Sequence, residues 1–361
     1  MTETDIKILI VEPGVQAQQQ LMRILESDEH IRVLGMVGSA AEALKFISRT
    51  KPDLITIDIG LPGSDGLSFT REVMENNPIP IVVVGSAAEN EEVTQAFDML
   101  EAGALATVEK PVLGLGDGDD LSRRLIETIK TMAEIKLVRR IRHRQGKGTP
   151  SVARANGNKD DGGLNSAPLD LVAIGASTGG PGVIQQILKG LPKDFPAPIV
   201  IAQHIAPGFT DALVHWLATT TGFTVKICGN NEKLEPAVAY LCPEGYQTGM
   251  SAGLKVKLAE DDCINGVRPS VSYLFASLAE ISGKRFVGIL LTGMGRDGAE
   301  ELKLLRDRGG VTIVQDAETS LVHGMPGEAI KLGAAQHVLS PQKIPELLME
   351  IACSKRRQLG E

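Results

Sequence analysis

The sequence predicts an α/β chain of two doubly wound parallel-sheet domains joined by a linker. Three observations predict it. Short apolar runs of four to six residues alternate with segments of helical period in both halves of the chain. Turns rich in glycine and proline follow those runs, where βα connections belong. Between residues 139 and 168 the periodicity lapses into a stretch rich in Gly, Asn, Asp and Ser. The boundaries are therefore 1–138, a linker at 139–168, and 169–350. At 361 residues, each domain has enough chain to bury a core.

The first domain alternates strand and helix five times. Ile6–Val11, Val33–Val37, Leu54–Ile57, Ile79–Val84 and Leu105–Val108 read as strands. Gln18–Glu26, Ala40–Ser48, Leu67–Glu75 and Glu91–Leu100 read as helices, and Pro62, Pro78 and Pro80 fall at connections. Five such units imply a flavodoxin-like sheet of order 2-1-3-4-5, with chemistry at the C-terminal strand ends. Asp58 stands at one such end, Ser86 follows the fourth strand, and Lys110-Pro111 follows the fifth. Singly, each is an ordinary surface group. Three at the right strand ends, with the loop Asp58-Ile59-Gly60-Leu61-Pro62-Gly63-Ser64-Asp65-Gly66, resemble the receiver domain of response regulators. The resemblance implies that Asp58 takes a phosphoryl group from a histidine kinase, Ser86 senses it and Lys110 neutralises an oxygen. Two departures stand out. Where receivers carry an acidic pair, this chain reads Val11-Glu12-Pro13-Gly14, so proline replaces the usual direct Mg²⁺ ligand and Glu12 is left as support. Thr107 stands where an aromatic switch residue is usual. Weak Mg²⁺ binding and slow labelling by phosphodonors are the expectation.

Charge sharpens the picture. Residues 1–138 hold 12 Lys+Arg against 23 Asp+Glu, a net of −11, and residues 139–168 hold 7 against 2, a net of +5. An acidic first domain argues against nucleic acid or an anionic membrane as its partner. Helical spacing continues from Leu121 to about Ile141 and runs into Arg139-Arg140-Ile141-Arg142-His143-Arg144, which reads as a solvated helix end. Four cysteines without C-x-x-C spacing read as reduced thiols. With a charged N-terminus and no apolar run approaching ~18 residues, the expectation is a cytoplasmic protein without membrane insertion.

The second domain opens on Leu171–Ile174, a buried strand, followed by Gly175-Ala176-Ser177-Thr178-Gly179-Gly180-Pro181 and a helix. This matches G-x-S-x-G in a strand–turn–helix setting, which lifts a serine hydroxyl above the sheet edge. A dinucleotide phosphate loop is the alternative, but it needs glycine where Ser177 stands. Ile199–Ala202 is the next strand, and a helix with Leu213, Val214, Trp216 and Leu217 follows. Val225–Cys228, Ala237–Leu241 and Leu254–Leu258 are shorter strands, and Ser270–Leu278 begins a helix. Phe286–Leu291 and Val311–Val314 are strands, and an αβ segment around Ala329–Val338 completes the domain.

A serine needs a base and an orienting group. His215 and His337 lie inside amphipathic or apolar elements and read as structural, and His323, in the loop before Gly324-Met325-Pro326-Gly327, is a second candidate for lining a site. His204 stands at a buried strand's C-terminal end, on the same edge as Ser177, and is the preferred base. Asp297 and Asp316 both follow strands; Asp297, in a glycine-flanked loop, is preferred as the orienting acid.

These loops resemble the catalytic domain of the chemotaxis protein-glutamate methylesterases, the CheB family. The likeness rests on Ile174–Pro181, Gln203-His204, Arg268-Pro269-Ser270-Val271, Leu291-Thr292-Gly293-Met294-Gly295-Arg296-Asp297-Gly298 and Gly324-Met325-Pro326-Gly327-Glu328-Ala329. It implies a Rossmann-like esterase domain, regulated by the receiver. It also implies hydrolysis of glutamate γ-methyl esters, and deamidation of glutamines, on the cytoplasmic domains of chemoreceptors. By the same resemblance Ser177 is the nucleophile, His204 the base and Asp297 its support. The Met294 N–H is an oxyanion donor, to which Thr178 is added. No cofactor is required for the ester chemistry. A signalling adaptor with a degenerate receiver and a silent hydrolase domain is the competing reading.

Overall fold

The computed structural model describes residues 5–61, 65–85, 90–111, 118–135, 169–205, 207–281 and 283–353. The predicted linker at 139–168, its basic run and Ser86 lie outside the described residues. The receiver-like part runs β1 (Ile6–Val11), α1 (Val15–Leu25), β2 (Ile31–Val37), α2 (Ala40–Ile47), β3 (Leu54–Asp58), α3 (Asp65–Asn76), β4 (Ile81–Gly85), α4 (Asn90–Ala102), β5 (Ala106–Glu109) and α5 (Gly118–Ala133). Its strands form an all-parallel sheet in the order β2-β1-β3-β4-β5, as expected. The central strands β3 and β4 are buried along their whole length, which is why Leu-Ile-Thr-Ile-Asp and Ile-Val-Val-Val-Gly read as continuous rather than alternating patterns. Crossover helices on both faces require this.

The second part runs β6 (Leu171–Ala176), α6 (Gly180–Gly190), β7 (Ile199–Gln203), α7 (Thr210–Thr221), β8 (Thr224–Ile227), β9 (Val238–Leu241), β10 (Gln247–Met250) and β11 (Val256–Ala259). It continues with α8 (Val271–Ala279), β12 (Phe286–Leu290), α9 (Ala299–Asp307), β13 (Val311–Gln315), α10 (Met325–Lys331), β14 (His337–Leu339) and α11 (Ile344–Cys353). Among the described residues, seven strands make a parallel sheet in the order β14-β13-β12-β6-β7-β9-β8. The strand order reverses at β6, so the Ser177 turn stands at a topological switch point, with β7 on one side and β12 on the other.

Two details differ from the sequence reading. The strand read at Leu254–Leu258 is present, displaced toward Ala259 and set outside the main sheet. Its core, Val256–Ala259, pairs antiparallel with Gln247–Met250, a segment with no β-branched run to announce it. That segment is held instead by α8: a Cβ on Gly249 would stand 3.0 Å from both Ser277 and Tyr273, and the Met250 N–H donates to Ser277 Oγ at 2.9 Å. The last helix also carries the domain to Cys353, and Ile344, Leu348 and Ile351 bury its inner face.

The two halves touch along α4. Phe97 stacks on Trp216 of α7 at 5.5 Å between centroids and meets Phe209 edge-on at 6.5 Å. All three rings are buried. Trp216 Nε1–H donates across this contact to Asp98 Oδ1 at 3.0 Å. Buried aromatics joined in this way each remove a large apolar area from water, and the indole N–H finds the polar partner it needs.

Candidate active site

The turn after β6 is built from close approaches. A Cβ on Gly175 would run into the Val271 side chain of α8, so the strand end lies directly on that helix. Gly179, at φ +80°, caps α6, whose first turn contains Pro181. The Ser177 N–H donates to the Thr292 carbonyl at 3.0 Å, and the Ser177 carbonyl accepts from the Gly180 N–H at 2.8 Å. The hydroxyl-bearing residue is thus fixed from both sides of its peptide plane.

His204 follows β7, whose last residue Gln203 pairs with Ala176. The buried Gln203 amide ties the two neighbouring loops: Nε2 donates to the Ser177 carbonyl at 2.9 Å and to the His204 carbonyl at 2.7 Å. His204 Nε2 lies 2.9 Å from Asp297 Oδ2. Asp297 is 3% exposed and sits in a cradle of donors. Its Oδ1 accepts from Ser270 Oγ–H at 2.8 Å, Asn265 Nδ2–H at 2.9 Å and the Ser272 N–H at 3.3 Å, and Oδ2 accepts from the Val271 N–H at 2.6 Å. Burial alone pushes this carboxyl toward its neutral form. His204, Asn265 and Ser270 outweigh that and hold its pKa far below the usual carboxylate range.

The loop after β12 closes the third side. A Cβ on Gly293 would stand 2.7 Å from Ser177 Cβ, so only glycine lets this backbone approach the serine. The loop is pinned by the Gly293 N–H to the Val322 carbonyl at 3.0 Å, and by the Gly324 and Met325 N–H groups to the Gly293 carbonyl. Thr292 Oγ1 donates to the Thr178 carbonyl at 2.9 Å. Met294 projects a 41% exposed side chain beyond this clamp.

Ser177, Thr178 and His204 thus line one cavity of about 370 Å³, with Asp297 behind the histidine. His323 packs against Gly327 and bonds Ser320 instead, and burial lowers its pKa. Asp316 Oδ1 is taken up by its own turn, accepting from the Thr319 N–H at 2.9 Å and Oγ1–H at 2.5 Å. Sequence reasoning missed Gln203, Ser270 and Asn265 as members of the site. Ser270 carried a signal as the N-cap of α8, and Asn265 carried one in the turn-forming pair Asn265-Gly266. The far wall of the cavity belongs to the receiver-like half, with Glu109 of β5 and Arg124, Glu127 and Thr128 of α5.

At the other candidate site, Lys110 Nζ lies 2.5 Å from both Asp58 Oδ2 and Glu12 Oε2. The remaining oxygens accept backbone N–H bonds, Asp58 Oδ1 from Gly60 at 2.7 Å and Glu12 Oε1 from Gly14 at 3.0 Å. Burial raises the pKa of Glu12 even with Lys110 beside it. For Lys110, burial is outweighed by the two carboxylates, which raise its pKa. The carboxylate pair fits a Mg²⁺ ion poorly as arranged, because Lys110 holds one oxygen of each. Position 13, a proline, supplies no side-chain oxygen to make up a coordination shell.

Fold and site together define a response regulator whose output domain is a hydrolase. A family profile described as CheB methylesterase matches residues 172–348, and one described as response regulator receiver domain matches residues 8–117. "Protein-glutamate methylesterase/protein-glutamine glutaminase 1" of Syntrophus aciditrophicus (strain SB) is 45% identical over 97% of this chain and 99% of its own. Enzyme 4 of the same name from Geobacter metallireducens is 42% identical over 97% of this chain and 100% of its own. The crystal structure of the Thermotoga maritima CheB methylesterase catalytic domain is 41% identical, covering 51% of this chain and 100% of that one, with a TM-score of 0.49. The chain belongs to the CheB methylesterase family.

Proposed function

We propose that this protein hydrolyses glutamate γ-methyl esters on the cytoplasmic domains of chemoreceptors, and deamidates receptor glutamines, using Ser177, His204 and Asp297. The observation that carries the reading is the 2.9 Å contact of His204 with the buried, donor-cradled Asp297, on the cavity that Ser177 lines. With Nε2 occupied by Asp297, Nδ1 is the nitrogen that takes the Ser177 proton. The serine oxygen attacks the ester carbonyl, and the charge on the resulting tetrahedral oxygen falls to N–H donors at Met294 and Thr178. The imidazolium then protonates the departing methanol. Water, activated by the same ring, releases the glutamate from the serine. An amide substrate follows the same course with ammonia departing. Asp297 remains ionised throughout and stabilises the imidazolium form. None of these steps calls for a metal.

The receiver acts as a lid. Its β5 and α5 residues wall the cavity, and the Phe97–Trp216 contact anchors it. Asp58 is the acceptor for a phosphoryl group from a histidine kinase, with Lys110 neutralising the added charge and Ser86 in the sensing role. Mg²⁺ binds weakly there, because it must displace Lys110 from both carboxylates. Full-length relatives named as methylesterases support the enzyme over a docking adaptor. The test is methanol release from methylated receptor, with and without a small phosphodonor over a Mg²⁺ series. Release that vanishes in Ser177→Ala supports the enzyme. Asp58→Asn that alters neither labelling nor activity at any Mg²⁺ concentration refutes the phosphoswitch and leaves a docking lid.

A further inference from the structure

Asp297 receives one of its hydrogen bonds from a place that packing does not require. Ser270 and the Val271 and Ser272 N–H groups belong to the start of α8, where burial fixes them. Asn265 lies instead on an exposed two-residue hairpin. Ile264 and Val267 exchange both backbone hydrogen bonds, at 3.2 and 3.0 Å. Asn265 at φ +54° and Gly266 at φ +77° are the two central residues. Positive φ at both positions is the type I′ pattern that Asn-Gly favours. From that turn Asn265 Nδ2 reaches Asp297 Oδ1 at 2.9 Å and Ser272 Oγ at 3.3 Å. Val267 of the same hairpin lines the cavity that holds Ser177 and His204.

We propose that Asn265 is a positioning residue that acts through Asp297 to set how readily His204 serves as base. The inference rests on the esterase reading above. The imidazolium is stabilised by negative charge on Asp297, and a donor on Oδ1 draws that charge away from the histidine. This favours the neutral ring, the form that accepts the serine proton. Other charged groups lie around this unit: Glu109 of β5 and Arg124 and Glu127 of α5 line the same cavity, Glu244 accepts from the Gly208 N–H at 2.8 Å, and Glu301 accepts from Ser272 Oγ–H at 2.6 Å. They stay in place when only residue 265 changes.

The turn makes the test clean, since Asp-Gly and Gly-Gly form the same hairpin as Asn-Gly. Asn265→Gly removes the donor without backbone strain, and Asn265→Asp replaces it with a negative charge. In the full-length protein the acid limb of kcat/KM for methanol release should move to higher pH in the order wild type, Gly, Asp. The expected shift is roughly 0.5 for Gly and roughly 1 for Asp. The His204 ring titration, followed by NMR and assigned with His204→Gln, should move in the same order. If the ring titration shifts but methanol release is absent even from wild type, the esterase reading fails and the role of Asn265 stands. Activity lowered equally at every pH, with the ring titration unmoved in both variants, makes Asn265 a structural turn residue only and overturns the proposal.

Discussion

At the scale of single residues, two loop histidines are separated by what each ring touches. His204 meets a buried carboxylate at 2.9 Å, whereas His323 meets the hydroxyl of Ser320 at 3.2 Å. Ser177→Ala should therefore abolish methanol release, and His204→Gln should lose nearly as much, because members of one catalytic unit are not additive. His323→Gln should keep most of the rate. A steady-state assay of the three variants checks this, and the reverse ranking would reassign the base. Asp297 also links the site to acid stability. Its folded pKa lies below its unfolded one, so its contribution is present above the unfolded carboxylate range and fades as pH falls through the folded value. Urea unfolding should accordingly show Asp297→Asn less stable at neutral pH, with a flatter dependence on pH below about 4.

Among elements, the decisive contact is β6 on α8. Gly175 has no room for a methyl group because Val271 fills it, and Val271 also gives its N–H to Asp297. Gly175→Ala should lower the stability of the catalytic domain by about 2–3 kcal/mol and disturb the Asp297 cradle, since neither strand nor helix can yield independently. Gly253→Ala, with nothing within 4 Å of the new methyl group, should be close to neutral. Thermal melts of the two variants test the contrast. Equal effects would mean that β6 and α8 slide apart at little cost.

Across the whole molecule, α4 carries an aromatic contact between the halves. Phe97→Ala removes a buried ring from the domain contact and should raise basal methanol release several-fold. Trp216, the single tryptophan of the chain, should at the same time emit at longer wavelength as water reaches it. Unchanged activity despite the fluorescence shift would separate the contact from inhibition. Deleting residues 1–140 should raise activity further, because it removes the whole far wall of the cavity.

Both sheets were legible in the sequence because parallel strands buried on two faces need unbroken apolar runs, and these stand out between glycine-rich turns. Ser177, His204, Asp297, Asp58 and Lys110, the residues of the two proposed sites, stand out in the sequence because each follows such a run, at the strand end where α/β folds place chemistry. The β10 strand was not legible, since its burial comes from α8 rather than from its own residue types. Nor was the cradle of Asp297. Asn265, Ser270 and Val271 lie within seven positions of one another but about 30 from the carboxylate they serve. Local propensity determines that a turn forms at Asn265-Gly266. Only the tertiary structure, which brings that turn, the start of α8 and the loop after β12 together, decides that the turn's amide meets Asp297. The same holds between the halves: the sequence determines a receiver and an esterase domain, and the packing of Phe97 on Trp216, 119 residues later, decides where they meet.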